Sequence, residues 1–333
     1  MSRKPGNYFF LLPIIAFVPW YGMLIAMLAC WAGQGHPIYW FMNPGQFPVY
    51  ISDIGATNLN PLFISCAAWQ GLFYVITVAC EFYQRAGYWP FHARPRDEVP
   101  QDDTSFKSMK TQYSELLLSA KFLMPPWYSK DERNLIFASF VLGVIGELGL
   151  LFCSIFTTAK YHDVHMSMVV VFVVFMCLSI WCNIIEYFMM GRHYALLHPL
   201  AFTDNDRLTI DDIKWYQIKG HVWNKFIISA LVKFVWLVLA IVWAICFGAI
   251  EDSSISACFE WLLAFWFGVY FTNLSVDFYL GGRYKKSRYF HQVESFAGYY
   301  KYENLVNSQQ QHATEETVSI ADSQTPLGGY MPN

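Results

Sequence analysis

Six long apolar runs alternate with polar segments along the 333-residue chain. Each run holds 22 to 25 residues, and a bilayer core about 30 Å thick needs about 20 residues of α-helix. Unpaired backbone groups find no partners in lipid, so each run is expected to be helical. The pattern therefore predicts an all-α membrane protein built as a six-helix transmembrane bundle. The predicted spans are 8–32, 62–83, 134–158, 166–190, 226–250 and 258–280.

The basic residues lie almost entirely on one side of these runs. Of the 22 Lys and Arg residues, two precede the first run, eight lie in 84–133, five lie in 191–225 and five follow Leu280. The other connections carry only Lys160, and Lys233 lies inside the fifth run. Because cytosolic connections are enriched in Lys and Arg, both termini are predicted to be cytosolic. The predicted organisation is a cytosolic N-terminus at 1–7, a transmembrane domain at 8–290 with a long cytosolic segment at 84–133, and a largely disordered cytosolic tail at 291–333.

Composition and motifs argue against several classes of protein. The first run is too long for a cleaved signal peptide and lacks a small-residue cleavage site, so it is predicted to be retained. All eight cysteines fall within or at the ends of runs, which argues against a disulfide framework. No strongly basic module stands outside the membrane, so nucleic-acid binding is not expected. The chain has no Gly-x-Ser-x-Gly, phosphate-loop, His-Glu-x-x-His or Cys-x-x-Cys motif. A non-catalytic protein without cofactor or metal is predicted.

Charged residues inside the predicted spans are candidate functional residues, because burying them in lipid is costly. Glu147 lies near the middle of the third span, beside glycines at 143, 146 and 149 that allow a neighbouring helix to approach closely. Glu186, Lys233 and Asp277 lie roughly 6, 11 and 5 Å from the predicted cytosolic ends of their spans. They could meet at one level, with Asn183 and Asn273 nearby.

Two interpretations of these residues stay open. They could line a polar cavity for a lipid headgroup or an ion, or they could form a satisfied ion-pair network that sets the helix register. The candidate set is Glu147, Glu186, Lys233, Asn273 and Asp277.

A second candidate is the basic cluster after the last span, with Arg283, Lys285, Lys286 and Arg288 within six residues. A cytosolic cluster beside a span attracts anionic lipid by about 1 kcal/mol per charge. The cluster is therefore predicted to contact anionic lipids, phosphoinositides among them, or else to serve as a plain topology anchor. In the segment 84–133, apolar residues at helical spacing predict a helix at 105–124, lying on the inner leaflet or on the cytosolic face of the bundle.

The loop before the second span carries Ile51-Ser52-Asp53-Ile54-Gly55, followed by Pro61. Ser and Asp form turns by bonding backbone N–H groups through their side chains, and Gly permits a positive φ. Asp53 is the only acidic residue of the loop 33–61. On this reasoning alone the segment is a turn that starts the second span, or a site with a further role.

This segment resembles the Ile-Ser-Asp-x-Gly signature of a family of six-span proteins named after FRAG, DRAM (damage-regulated autophagy modulators) and Sfk (suppressor of four kinase). The place of the motif, the number of spans and the predicted cytosolic termini all agree over about residues 8–288. Ile54 stands where the animal autophagy modulators carry Thr, and the segment 84–133 is long. Both features resemble the fungal suppressor-of-four-kinase branch.

The resemblance implies a multi-pass plasma-membrane protein that is not an enzyme. It would support recruitment of the phosphatidylinositol 4-kinase complex and phosphoinositide signalling, and would maintain phospholipid asymmetry and sterol retention. The implied partners are membrane lipids and that kinase complex, which would meet the cytosolic segments. The family landmarks are Ile51, Ser52, Asp53, Gly55 and Pro61.

Other functions stay open at this stage. The FRAG branch implies lipid remodelling of glycosylphosphatidylinositol anchors in the Golgi or endoplasmic reticulum. An enzyme or accessory factor of this kind would here use Asp53, His36 and His162 from the outer side. The DRAM branch implies vacuolar or lysosomal membranes. A lipid transporter or scramblase working through Glu147 and Lys233 is a third alternative.

Overall fold

The computed structural model describes residues 8–86, 89–91, 130–196, 202–203, 206–207 and 223–279. These residues form seven helices and a two-stranded antiparallel ladder. Six of the helices are long and apolar enough to cross a membrane, which confirms the predicted fold class. The elements are α1 Leu11–Gly33, α2 Ile51–Gly55, α3 Asn60–Ala86, α4 Lys130–Ile155, α5 Thr158–Leu196, β1 Phe202–Thr203, β2 Asp206–Arg207, α6 Lys225–Ala249 and α7 Ser253–Phe278.

Each spanning helix overlaps its predicted span, but several run further into polar sequence. Helix α5 begins eight residues before its predicted span and ends six residues after it, with a non-helical residue at Tyr161. Helix α3 continues to Ala86 and α4 begins at Lys130, so both enter the segment assigned to the cytosolic connection. An apolar run measures the length of helix in lipid, whereas helical hydrogen bonding continues into water. The predicted helix at 105–124, the cluster at 283–288 and the tail at 291–333 lie outside the described residues.

The six spanning helices pack as a ring. Helix α1 contacts α3 and α7, and α4, α5 and α6 complete the circuit, each touching the next. The short α2 contacts α1, α3, α5 and α7. We call the end that carries α2 and the α4–α5 and α6–α7 connections the loop end, and the end with Tyr8 and Tyr279 the terminal end. The charge pattern predicts that the terminal end is cytosolic.

The outer surface of the ring is apolar, as a lipid-facing surface requires. On α5, Val170, Val174, Leu178 and Trp181 recur every three or four residues and are exposed, while Met176 and Ile180 face the interior and are buried. A helix that is apolar all round packs in a protein core or in a membrane. Exposed side chains at this spacing identify the lipid face of α5.

Helices α4 and α5 approach closely through glycines. A Cβ atom built on Gly149 would lie 2.8 Å from the backbone nitrogen of Phe172, and one on Gly146 would lie 2.8 Å from Cγ of Met176. Neither position has room for a side chain. The glycines at three-residue spacing therefore permit the contact between the two helices.

We expect Gly149→Ala to destabilise the protein by about 1–3 kcal/mol, because the added methyl group overlaps backbone that cannot move independently. Gly248→Ala is the matched control, since a Cβ atom at this position on α6 would have nothing within 4 Å. Thermal unfolding in detergent, followed by the loss of monodisperse protein, compares the two variants. An equal transition temperature for both would contradict the close packing of α4 on α5.

Candidate functional site

A buried network of charged side chains lies at the terminal end of the bundle. Its first part surrounds Lys233 on α6, whose Nζ donates to Asn183 Oδ1 at 2.7 Å and lies 2.7 Å from Asp277 Oδ2. The same Nζ sits 3.4 Å from the ring centroid of Tyr187, a cation–π contact. Asp277 also accepts a hydrogen bond from Ser229 Oγ at 2.9 Å. The ammonium group is thus enclosed by a carboxylate, an amide oxygen and an aromatic face.

The second part surrounds Arg85 on α3, which is fully buried. Its guanidinium donates through Nη1 to Glu186 on α5 and through Nη2 to Glu132 on α4. Asn183 joins the two parts, because its Nδ2 donates to Glu186 Oε2 at 3.3 Å and to Glu81 Oε2 at 3.2 Å. Charge-assisted hydrogen bonds of this kind are stronger than neutral ones. The result is one continuous network across α3, α4, α5, α6 and α7.

The structure brings together three of the candidates from the sequence, Glu186, Lys233 and Asp277. It does not connect Asn273, whose amide nitrogen has no hydrogen-bond partner among the described residues.

The sequence reasoning missed Glu81, Arg85 and Glu132. Arg85 and Glu132 flank apolar runs, so they were assigned to the cytosolic connection. A usable signal was present, since Glu81 and Arg85 are four residues apart and therefore share one face of a helix.

Glu147 lies apart from this network, buried in α4. Gln70 Nε2 on α3 donates to its Oε1 at 2.9 Å, and its Oε2 has no hydrogen-bond partner in the described part of the chain. A Cβ atom on Gly71 would lie 3.0 Å from that Oε2, so the α3 backbone runs directly beside the carboxyl group. The geometry shows a sealed site with a single donor. The functional and structural interpretations of Glu147 both stay predictions.

At the loop end, the motif Ile51–Gly55 forms the short helix α2, and the carboxyl group of Glu260 satisfies its first two N–H groups. Glu260 on α7 accepts from Ile51 N at 2.6 Å and from Ser52 N at 3.4 Å. Asp53, the third residue of α2, is buried, and its carboxyl group lies near the backbone of Tyr50 and the side chain of Gln46. Helix starts leave such N–H groups without partners inside the helix. Glu260 therefore caps the start of α2, and Asp53 lies buried in the first turn of that helix.

The other end of α2 is held by α3 and α4. Asn60 Nδ2 donates to the carbonyl of Gly55 at 2.8 Å and to that of Ser154 at 3.0 Å. The expectation of a positive φ at Gly55 is wrong, because this residue is helical. Glycine is required there for a close approach, since a Cβ atom would lie 2.5 Å from Cδ1 of Phe63. Pro61 lies in the first turn of α3, where its missing N–H costs nothing.

Beneath α2 lies a cavity of about 140 Å³, lined by residues of α2 and of all six spanning helices. Its walls are mostly apolar, and its polar lining residues Ser52, His165 and Glu260 belong to the loop ends of their helices. His165 Nδ1 donates to the carbonyls of Cys153 and Phe156 at 2.8 and 2.9 Å. Among the described residues, no Lys or Arg lines the cavity. Glu260, which joins the cavity to the motif, was missed at the sequence level although it is the one acidic residue in the outer half of the sixth span.

The described ranges contain no group of three or more His, Cys, Asp or Glu residues placed to hold a metal ion. The described residues show ion pairs, a helix cap and a mostly apolar cavity.

Comparison with known proteins places this architecture in a family. A family model described as the Frag1/DRAM/Sfk1/Cwh43P N-terminal domain matches residues 8–281. The chain belongs to the Frag1/DRAM/Sfk1 family. Among Frag1/DRAM/Sfk1 relatives, Protein SFK1 of Saccharomyces cerevisiae is 62% identical over 345 aligned positions, which cover 99% of this chain and 96% of that protein. Protein sfk1 of Schizosaccharomyces pombe is 25% identical over 281 positions, covering 83% of this chain and 66% of that protein. No solved structure matches the chain significantly.

Family membership confirms the resemblance drawn from Ile51–Gly55 and the six spans. Both named relatives are fungal, which agrees with the fungal branch of the Frag1/DRAM/Sfk1 family. In this structure the segment Ile51–Gly55 is a short helix with a capped start, and it covers a cavity. The part played by each landmark residue in function stays a prediction.

We expect Asp53 to make the docking of α2 pH-dependent. Burial raises the pKa of its carboxyl group to about 6, while an unfolded Asp has a pKa near 3.9. Because the folded state holds the proton more tightly, the docked helix loses stability as the pH rises from about 4 to about 6, by up to about 3 kcal/mol. Tyr39 and Glu260 are near enough to interact electrostatically with the carboxyl group of Asp53.

We expect the amides of α2 to exchange with deuterium more slowly at pH 5 than at pH 7.5, after correction for intrinsic rates. Asp53→Asn should reduce this difference, because the amide keeps an acceptor and cannot ionise. Asp163→Asn, at an exposed position of the same end, is the control. Protection that increases with pH in the unaltered protein would contradict the assignment.

Proposed function

We propose that this protein is a non-catalytic regulator of plasma-membrane lipid organisation. In this proposal it recruits phosphatidylinositol 4-kinase machinery through its cytosolic connections and helps maintain phospholipid asymmetry and sterol retention. Membership of the Frag1/DRAM/Sfk1 family supports the proposal, as does high identity to Protein SFK1 over nearly the full chain.

The observation that carries the proposal is the pairing of Arg85 with Glu132. These residues lie near the end of α3 and the start of α4, the two helices that the longest polar connection joins. Their buried ion pair holds the two ends of that connection close together. Glu186 pairs with Arg85, and Asn183 connects Glu186 to Lys233 and through it to Asp277, so the ends of the connection are also joined to α5, α6 and α7. Ends that are held in place in this way suit a connection that presents a docking surface to a soluble partner.

The lipid part of the proposal assigns two contacts. The basic residues Arg283, Lys285, Lys286 and Arg288 would contact anionic lipids, phosphoinositides included, on the cytosolic leaflet. The cavity beneath α2 would hold lipid from the opposite leaflet.

The test uses cells that lack the protein and re-express a variant. One variant replaces residues 92–129 with a short Gly-Ser linker, which keeps Arg85 and Glu132, and a second neutralises the four basic residues at 283–288. We expect both proteins to reach the plasma membrane, the first to lose recruitment of the kinase, and the second to weaken it. Lys160→Gln, which neutralises an exposed charge at the loop end, is the control.

Recruitment that is unchanged in both variants would overturn the kinase part of the proposal. Exposure of aminophospholipids on the cell surface, measured in the same cells, tests the asymmetry part. An altered lipid on anchored proteins after Asp53→Ala would instead favour anchor remodelling. Movement of lipid across liposomes by the purified protein would favour a transporter.

A further inference from the structure

We propose that the cavity beneath α2 binds an uncharged lipid whose polar end is a single hydroxyl group, with Glu260 accepting the hydrogen bond of that hydroxyl. A sterol and a linear long-chain alcohol share this chemistry. The inference deepens the proposed role in lipid organisation and rests on it. It is tested on purified protein, so its failure is distinguishable from a failure of kinase recruitment.

The size of the cavity suits a small lipid body. Since one water needs about 10–15 Å³ by this measure, 140 Å³ has room for about ten waters, or roughly 300 Å³ of liquid. That volume is at the lower end of the range for small-ligand sites, about 300–1,000 Å³. It is smaller than a whole sterol or long-chain alcohol, so part of the ligand would extend beyond the cavity.

The cavity is also elongated along the helices. Its lining residues on α5 run from His165 to Ile180, about 22 Å of helix axis. A molecule inside would lie along the membrane normal, as bilayer lipids do.

The deep part of the cavity offers no free polar group from its two tryptophans. Trp20 donates its indole N–H to the carbonyl of Ala264 at 2.9 Å, and Trp236 donates to that of Trp266 at 2.9 Å. Their rings therefore present apolar surface, together with Phe172 and Met176. A polar group placed at this depth would lose its hydration without gaining a partner, which costs several kcal/mol. The body of the ligand must be apolar.

The loop end of the cavity has acceptors and no cation among the described residues. Glu260 uses one lone pair on each oxygen for the α2 backbone, and a carboxylate has about four acceptor positions. A hydroxyl group can therefore donate to Glu260 while α2 stays capped. A phosphate headgroup would find no Lys or Arg lining the described cavity to balance its charge. This combination selects a hydroxyl and rejects a phosphate.

The experiment measures binding of dehydroergosterol, a fluorescent sterol, to the purified full-length protein in detergent micelles. Energy transfer from tryptophan reports binding, because Trp20 and Trp236 line the cavity. Ala240→Phe and Ala244→Phe fill the cavity from α6, and Val238→Phe adds the same bulk on the exposed, lipid-facing side of that helix. If Ala240→Phe fails to fold, Ala244→Phe still tests the cavity, because Ala244 is only half-buried.

We expect saturable binding that is at least tenfold weaker in the cavity variants and unchanged in Val238→Phe. A sterol methyl ether, which lacks the donor, should compete at least tenfold less well than the sterol. Competition by hexadecanol at a similar concentration would identify the ligand as a linear long-chain alcohol. Competition by sterol alone would identify the ligand as a sterol. Equal binding in all three variants would overturn the proposal. Equal competition by the methyl ether or by phosphatidylserine would overturn it as well.

Discussion

Lys233→Met is expected to destabilise the folded protein by about 3–5 kcal/mol, because it leaves a buried carboxylate without its counter-charge. Asp277 lies 2.7 Å from Lys233 Nζ and would keep only Ser229 as a side-chain donor among the described residues. The amide oxygen of Asn183 would lose its closer donor at the same time and would keep the Tyr270 hydroxyl at 3.5 Å. Whole-protein stabilities are about 5–15 kcal/mol, so a loss of this size removes much of the folded population on mild heating.

The loss should be measured as the fraction of monodisperse protein that survives heating in detergent. Adding Asp277→Asn to Lys233→Met should restore most of the stability, since the pair is then neutral and the amide still accepts from Ser229. Lys160→Met, which removes an exposed lysine, should change stability by less than about 0.5 kcal/mol. A double variant as unstable as Lys233→Met alone would show that the lysine acts through packing, not through charge.

The balance of charge in the network sets which substitutions are severe. Among the described residues, its titratable side chains comprise two bases, Arg85 and Lys233, and four acids, Glu81, Glu132, Glu186 and Asp277. Removing a base leaves more buried negative charge unbalanced, whereas changing one Glu to Gln reduces the excess. The network therefore tolerates neutral replacement of an acid better than loss of either base.

The apolar runs predicted the six spanning helices because burial in lipid leaves a strong, local signal in the sequence. The same reasoning placed Glu186, Lys233 and Asp277 at one level, since depth in a helix follows from counting residues. It did not find the pairing of Arg85 with Glu132, which are 47 residues apart and each stand just outside an apolar run. Polar residues at the end of a run look alike whether they face water or turn inward. Only the packing of α3 against α4 separates the two cases.

The motif shows a second limit of local reasoning. Ser52, Asp53 and Gly55 suggested a turn, whereas the structure has a helix of five residues. A helix this short is not stable alone, and its first N–H groups are satisfied by Glu260, 209 residues away from Ile51. Gly55 is explained by Phe63 on the next helix, not by its own backbone conformation. The reason for each residue in the motif lies in another part of the chain.

Arg85→Met should be about as severe as Lys233→Met, with an expected loss of about 3–5 kcal/mol, because Glu132 and Glu186 would then share a buried site without their guanidinium. Arg85→Lys should recover only part of the loss, since a single ammonium cannot match a guanidinium that bonds two carboxylates through separate nitrogens. Orientation in the membrane should not change, because seven of the eight basic residues of 84–133 remain.

Arg133→Met is the matched control, because Arg133 comes from the same connection and contacts Asn134 in an exposed hydrogen bond. It should change stability by less than about 0.5 kcal/mol. Glu132→Gln together with Glu186→Gln should rescue Arg85→Met, since the site then holds amides that need no counter-charge. Heated-fraction measurements of the four proteins decide stability, and accessibility of a C-terminal tag decides orientation. If Arg133→Met destabilises the protein as much as Arg85→Met does, both residues act through the positive charge of the connection. The buried ion pair would then not be what holds the two ends of that connection together.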